Sequence, residues 1–192
     1  NFKVITVAGG MINGKINKNS KIADTGKMKM GWWEIKNYDY ATHPNPGLID
    51  LIYLFQHSSN VASAKVAHMM EPQDFYDTLK LFNFGEKTGI DLPGESSGIL
   101  PQPRNWDIAT HGAMGYGYGT SATAIQMASA VAAIANKGVW ITPHVIKYTP
   151  EEAETKIVKR RVMDEQSAQD LTKILAESIE RGKNIAKMDE YY

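Results

Sequence analysis

Two apolar, helix-like runs meet in this chain with little between them but His57-Ser58-Ser59-Asn60. Leu48 to Phe55 reads as one helix. Val61, Ala64, Lys65 and His68 recur at three- and four-residue spacing and make a second, from about Asn60 to Met70. So short a link forces a corner between helices. A Ser-x-Asn step at such a corner can turn the Ser58 hydroxyl and the Asn60 carboxamide to one side. There the hydroxyl can relay a proton and the amide can grip a substrate peptide bond.

The rest of the chain supplies material for one sizeable domain, because 192 residues are too few for two comfortable ones. Phe2, Val4, Ile5, Val7, Ala8 and Met11 are dense enough for a buried helix that ends near Gly9-Gly10 or at Asn13-Gly14. Lys27 to Tyr40 alternates well enough for a small hairpin, closed by Pro44, Pro46 and Gly47. Glu71-Pro72-Gln73-Asp74 starts a helix that runs to about Phe82. Gly94 to Thr110 is expected to be a long ordered loop pinned by Trp106. An Ala-rich helix follows from Ser121 to Asn136, capped by Lys137-Gly138. Val139 to Tyr148 and Ile157 to Met163 read as extended, and Asp164 caps a last helix to about Glu180, stopped by Gly182.

Composition excludes several classes. Lys plus Arg and Asp plus Glu both number 21, so the zero formal charge gives no case for nucleic acid or an acidic membrane surface. The absence of cysteine excludes disulfides and thiol catalysis. No window approaches the roughly 20 apolar residues of a membrane span, and no signal peptide opens the chain. The five histidines, His43, His57, His68, His111 and His144, show no close metal-ligand spacing and read as structural or surface residues; neither a metal nor a cofactor is expected. Gly115-x-Gly117-x-Gly119 lacks the spacing of a nucleotide loop and reads as a tight backbone passage. Trp32-Trp33 reads as a hairpin aromatic pair covering a core.

The Ser58-x-Asn60 step, the opening Asn1-Phe2-Lys3-Val4-Ile5-Thr6 and the stretch from Phe84 to Val145 together resemble the transpeptidase domain of class B penicillin-binding proteins. That family carries Ser-x-x-Lys, Ser-x-Asn and Lys-Thr/Ser-Gly motifs. Only the middle one is complete here. In this resemblance Lys3 is the lysine of the first motif, and its serine would fall one position before Asn1. Ile179 to Tyr192 resembles the approach to the strand of the third motif. The chain is therefore expected to be a single partial transpeptidase domain over residues 1–192. It is expected to be α+β and mostly helical, part of the serine β-lactamase and penicillin-binding-protein fold with most of the central antiparallel sheet missing.

The resemblance implies serine acyl transfer on a peptidoglycan stem peptide ending in D-Ala-D-Ala, with β-lactams as inhibitors. It gives Lys3 the role of activating the serine, Ser58 that of passing a proton to the leaving amine, and Asn60 that of holding the donor peptide. Without the nucleophile and the third motif, the chain by itself is expected to be inactive. The family further implies a place on the extracytoplasmic face of the bacterial membrane, through an anchor helix and pedestal domain upstream of Asn1. Partners in division or elongation are implied too, and Leu51 to Asn60 looks like the division type. The rival readings are a serine β-lactamase or β-lactam sensor, and a non-enzymatic helical interaction domain.

One triplet is a decoy. Lys87-Thr88-Gly89 spells the third motif, yet it follows Asn60 closely and runs on into Ile90-Asp91-Leu92-Pro93-Gly94, a turn sequence. It is expected to be an exposed connection rather than a catalytic sheet edge.

Overall fold

The computed structural model describes residues 2–186, so Asn1 and the expected approach to the third motif beyond Ala186 lie outside the described residues. Helices dominate: α1 Lys3–Ile12, α2 Leu51–Gln56, α3 Asn60–His68, α4 Pro72–Leu81, α5 Ile108–Met114, α6 Ala124–Ala135, α7 Pro150–Lys156 and α8 Glu165–Ala186. The strands are β1 Lys21–Asp24, β2 Lys27–Met30, β3 Trp33–Lys36, β4 Gly47–Asp50, β5 Val139–Ile141 and β6 Lys159–Arg161. They form three separate antiparallel pairs, β1 with β4, β2 with β3 and β5 with β6. The fold is thus α+β and mostly helical, without a continuous central sheet among the described residues.

Helix α1 is the centre of the molecule, buried from Ile5 through Met11 and packed by α3, α4, α6 and α8. The helix continues through Gly9-Gly10, because these glycines let neighbours approach closely. A Cβ on Gly10 would lie 2.8 Å from Ile16 Cγ1 and 2.9 Å from Val66 Cγ1. A glycine inside a helix costs about 1 kcal/mol relative to alanine, which tight packing on both sides can offset. Asn13 then closes the helix, its side chain reaching Gly9 O at 2.9 Å and Thr78 Oγ1 at 3.0 Å.

The other elements differ from the sequence expectation in instructive ways. The helix expected from Leu48 is shorter: Gly47–Asp50 pairs with β1, and Asp50 caps α2 by accepting from Tyr53 N at 2.8 Å. The expected loop over 94–110 gives way to α5 near its end, capped by Asp107 through Thr110 N at 2.7 Å. Helix α6 begins at Ala124 rather than Ser121, because Thr123 and Gln126 form a capping box there. Thr149 and Glu152 form a second capping box and start α7, which no element of the sequence reading anticipated. Helix α8 is capped by Asp164, which accepts from Ser167 N at 2.8 Å, and its backbone passes Gly182 without stopping. Trp106 packs on the core and donates to Pro101 O at 3.2 Å, which pins the loop as expected. Trp33 stacks on Tyr118 with ring centres 5.8 Å apart, whereas Trp32 covers no core: it stays exposed and donates to Asp107.

Candidate active site

The corner between α2 and α3 is built by a buried polar network that starts at Ser59. Its hydroxyl caps α3 by accepting from Ala62 N at 2.9 Å and donates to Asp24 Oδ2 at 2.6 Å. Asn37 joins the same carboxylate, donating from Nδ2 at 2.9 Å, and its Oδ1 accepts from Val61 N at 3.0 Å. Two amide protons at the start of α3 are therefore satisfied by side chains from two different elements. Asp24, Asn37 and Ser59 are all buried. The sequence reading missed Asp24 and Asn37 because nothing local marks a strand-end aspartate and a post-strand asparagine as partners of a distant helix start.

This rigid frame holds Ser58 in an unusual backbone state. Its φ of 48° lies in the left-handed region, which costs a non-glycine residue roughly 1 to 2 kcal/mol. The exposed hydroxyl that results accepts a hydrogen bond from Lys3 Nζ at 2.8 Å. Lys3 sits in the first turn of the buried helix α1. Burial of its ammonium lowers its pKa from 10.5 to about 8, because a low-dielectric site disfavours the charged form. At pH 7 roughly a tenth of such an amine is neutral, about three hundredfold more than at the ordinary value.

Asn60 occupies the first position of α3 and is fixed from the hairpin side. Its Nδ2 donates to Lys36 O at 2.9 Å, at the end of β3. Among the described residues its Oδ1 has no partner, so one amide acceptor remains for a bound group. The structure thus joins Lys3 directly to Ser58 and holds Asn60 two residues on, through a separate anchor.

Lys87-Thr88-Gly89 lies in the connection after α4, with Lys87 exposed. Glu95 occupies its polar groups, accepting from Thr88 Oγ1 at 2.5 Å, Thr88 N at 2.6 Å and Gly89 N at 3.0 Å. Asp91 then ties the same connection to Val145 N and Ile146 N, both at 2.9 Å. Thr88 is buried and engaged internally, as a structural connection requires. Gly115-x-Gly117-x-Gly119 is likewise a close passage, since a Cβ on Gly117 would lie 2.8 Å from Phe2 Cβ. His43 and His57, which show no ligand spacing in the sequence, nevertheless meet at Asp39.

The family profile of the penicillin-binding protein transpeptidase domain matches residues 1–192. The chain belongs to that family. Within it, the transpeptidase domain is similar to class B proteins. It is 33% identical over 150 residues to penicillin-binding protein PbpB of Mycolicibacterium smegmatis, covering 77% of this chain and 22% of that protein. It is 30% identical over 161 residues to stage V sporulation protein D of Bacillus subtilis, covering 83% of this chain and 24% of that protein. The chain therefore spans about a quarter or less of these curated relatives. Among solved structures, penicillin-binding protein 3 of Mycobacterium tuberculosis complexed with aztreonam superposes with a TM-score of 0.78 at 28% identity, covering 91% of this chain and 39% of that one.

Proposed function

We propose that this transpeptidase segment supplies one wall of a serine acyl-transfer site that cross-links peptidoglycan stem peptides ending in D-Ala-D-Ala. The observation that carries the reading is the 2.8 Å hydrogen bond from Lys3 Nζ to Ser58 Oγ, made by an amine whose pKa lies near 8. An amine that is partly neutral near physiological pH and bonded to a hydroxyl is the arrangement that proton relay needs.

In this mechanism the nucleophile is a serine one position before Asn1, one helical turn from Lys3. Its hydroxyl oxygen attacks the carbonyl carbon between the two D-alanines while the neutral Lys3 amine takes its proton. The C–N bond then breaks. The leaving D-alanine nitrogen takes up a proton through Ser58, which is refilled from Lys3. An amine of a neighbouring strand next attacks the acyl-enzyme, forming the new amide and returning the proton to the serine. Asn60 holds the donor peptide through its unpartnered acceptor and its amide.

Under this reading β-lactams acylate the same serine, as the aztreonam complex of the mycobacterial relative suggests, and the work is done on the cell wall outside the cytoplasm. The oxyanion hole then draws on backbone N–H groups of the serine and of a third-motif strand. The test is acylation by a fluorescent penicillin. A protein extended through a serine before Asn1 and a third-motif strand after Tyr192 takes the label, whereas the 192-residue chain does not. Labelling of the short chain would place the nucleophile elsewhere.

A further inference from the structure

Asp39, His43 and His57 converge from two segments, the turn after β3 and the carboxyl-terminal cap of α2. Asp39 Oδ2 lies 2.9 Å from His57 Nδ1 and 3.3 Å from His43 Nδ1. One ligand atom from each of the three residues falls within 4.8 Å of the others. The edge of a tetrahedron with zinc–nitrogen bonds near 2.0 to 2.1 Å is about 3.3 Å long, so the three donors already stand close to the spacing a bound ion imposes.

Ordinary histidine–aspartate hydrogen bonding does not account for the cluster. The Asp39 side chain is only 8% exposed, and its second oxygen, Oδ1, is buried with no hydrogen-bond partner. His57 Nδ1 hydrogen-bonds Oδ2, and His43 Nδ1 lies beside the same oxygen while also meeting Thr42 Oγ1 at 3.1 Å. Oδ1 is left unserved, and buried carboxylate oxygens are seldom left so. His57 is held rigidly, its ring stacked on Tyr53 with centres 4.0 Å apart and planes 14° apart. His43 meets the His57 ring edge-on at 4.9 Å and is half-exposed, which leaves one side open to solvent. Burial first, then the Asp39 carboxylate and a second buried carboxylate, Asp24, raise the pKa of the Tyr53 hydroxyl. The hydrogen bonds to Asp24 come from Gly26 N, Asn37 and Ser59, which are neutral donors.

We propose that Asp39, His43 and His57 bind a divalent transition-metal ion of the zinc type, with a fourth position open to water. Two imidazoles and one carboxylate favour zinc over magnesium or calcium, which prefer all-oxygen sets. The ion links the segment following Lys36 and Asn37, which anchor Asn60 and Ser59, to the residue immediately before Ser58. Its role is positioning: it fixes the corner without touching substrate. The inference does not depend on the acyl-transfer reading, since metal content is measured without substrate.

The test uses untagged protein stripped with a chelator, reloaded with Zn²⁺ and desalted. Bound zinc is then counted by mass spectrometry, and affinity is measured by competition with a chromophoric chelator. The expected result is one zinc per chain, a melting temperature that rises with Zn²⁺ and not with Mg²⁺, and at least tenfold weaker binding in His43→Gln, His57→Gln and Asp39→Asn. His43 is half-exposed, so His43→Gln keeps the fold and decides the matter even where a buried variant misfolds. Absence of retained zinc in the wild-type protein, or equal retention by wild type and a folded His43→Gln, overturns the site.

Discussion

Lys3 Nζ and Ser58 Oγ lie 2.8 Å apart although 55 positions separate them in the chain. The contact joins the first turn of the largely buried helix α1 to an exposed residue held with positive φ, so both sides of it are constrained before any ligand arrives. A site that must move protons gains from such preorganisation, because little reorganisation remains for the reacting step.

Lys3 is expected to titrate near 8 rather than 10.5. The fold favours the neutral amine, so its contribution to stability is present above the unfolded pKa and is lost as pH falls from 10.5 to about 8; below that the penalty is constant. Denaturant midpoints of wild type and Lys3→Met, compared between pH 7 and 10.5, will therefore change relative to each other above pH 8, with wild type gaining. A constant difference across that range would mean that Lys3 is solvated like a surface lysine.

Neighbouring serines are expected to behave oppositely. Ser59→Ala removes a helix cap and one donor to the buried Asp24 carboxylate, which together cost about 2 to 4 kcal/mol. Ser58→Ala, at an exposed position, is expected to stay within about 1 kcal/mol of wild type. Urea unfolding of the two variants checks this, and equal destabilisation would deny that Ser59 is the structural serine of the pair.

The corner and the helices around it were legible because their signals are local. Apolar spacing marks α3, the Glu71-Pro72-Gln73-Asp74 start marks α4, Asp164 marks α8, and the proline turn exposes the Lys87 triplet as a connection. What escaped depended on distant partners or on weak punctuation. Strand β4 was hidden inside an apolar run until its pairing with β1 drew it out, and Asp24, Asn37 and Ser59 are brought together by tertiary structure alone. Two helices had readable starts that the reading passed over: Asp107 before Ile108, and the Thr149-Pro150-Glu151-Glu152 capping box. The stop that Gly182 suggests does not occur, because a single glycine only weakens a helix.

The Lys87 connection predicts a contrast between adjacent side chains. Lys87→Ala is expected to change stability by no more than about 0.5 kcal/mol, while Glu95→Ala frees Thr88 and Gly89 and lowers the melting temperature. In a protein extended through both outer motifs, Lys87→Ala leaves penicillin acylation within a few-fold of wild type. A hundredfold loss with the fold intact would make this triplet the catalytic third motif.

The most direct test of the relay compares fluorescent-penicillin acylation rates of that extended protein with those of its Ser58→Ala and Asn60→Ala variants, at matched thermal stability. Removing a proton-transfer group costs about 10² to 10⁴ in rate, so Ser58→Ala is predicted to acylate at least a hundredfold more slowly while melting close to wild type, and Asn60→Ala, which loses a hold on the donor peptide, to acylate more slowly as well. Acylation within a few-fold of wild type in Ser58→Ala would contradict the account, leaving the Lys3 to Ser58 hydrogen bond as a structural contact only.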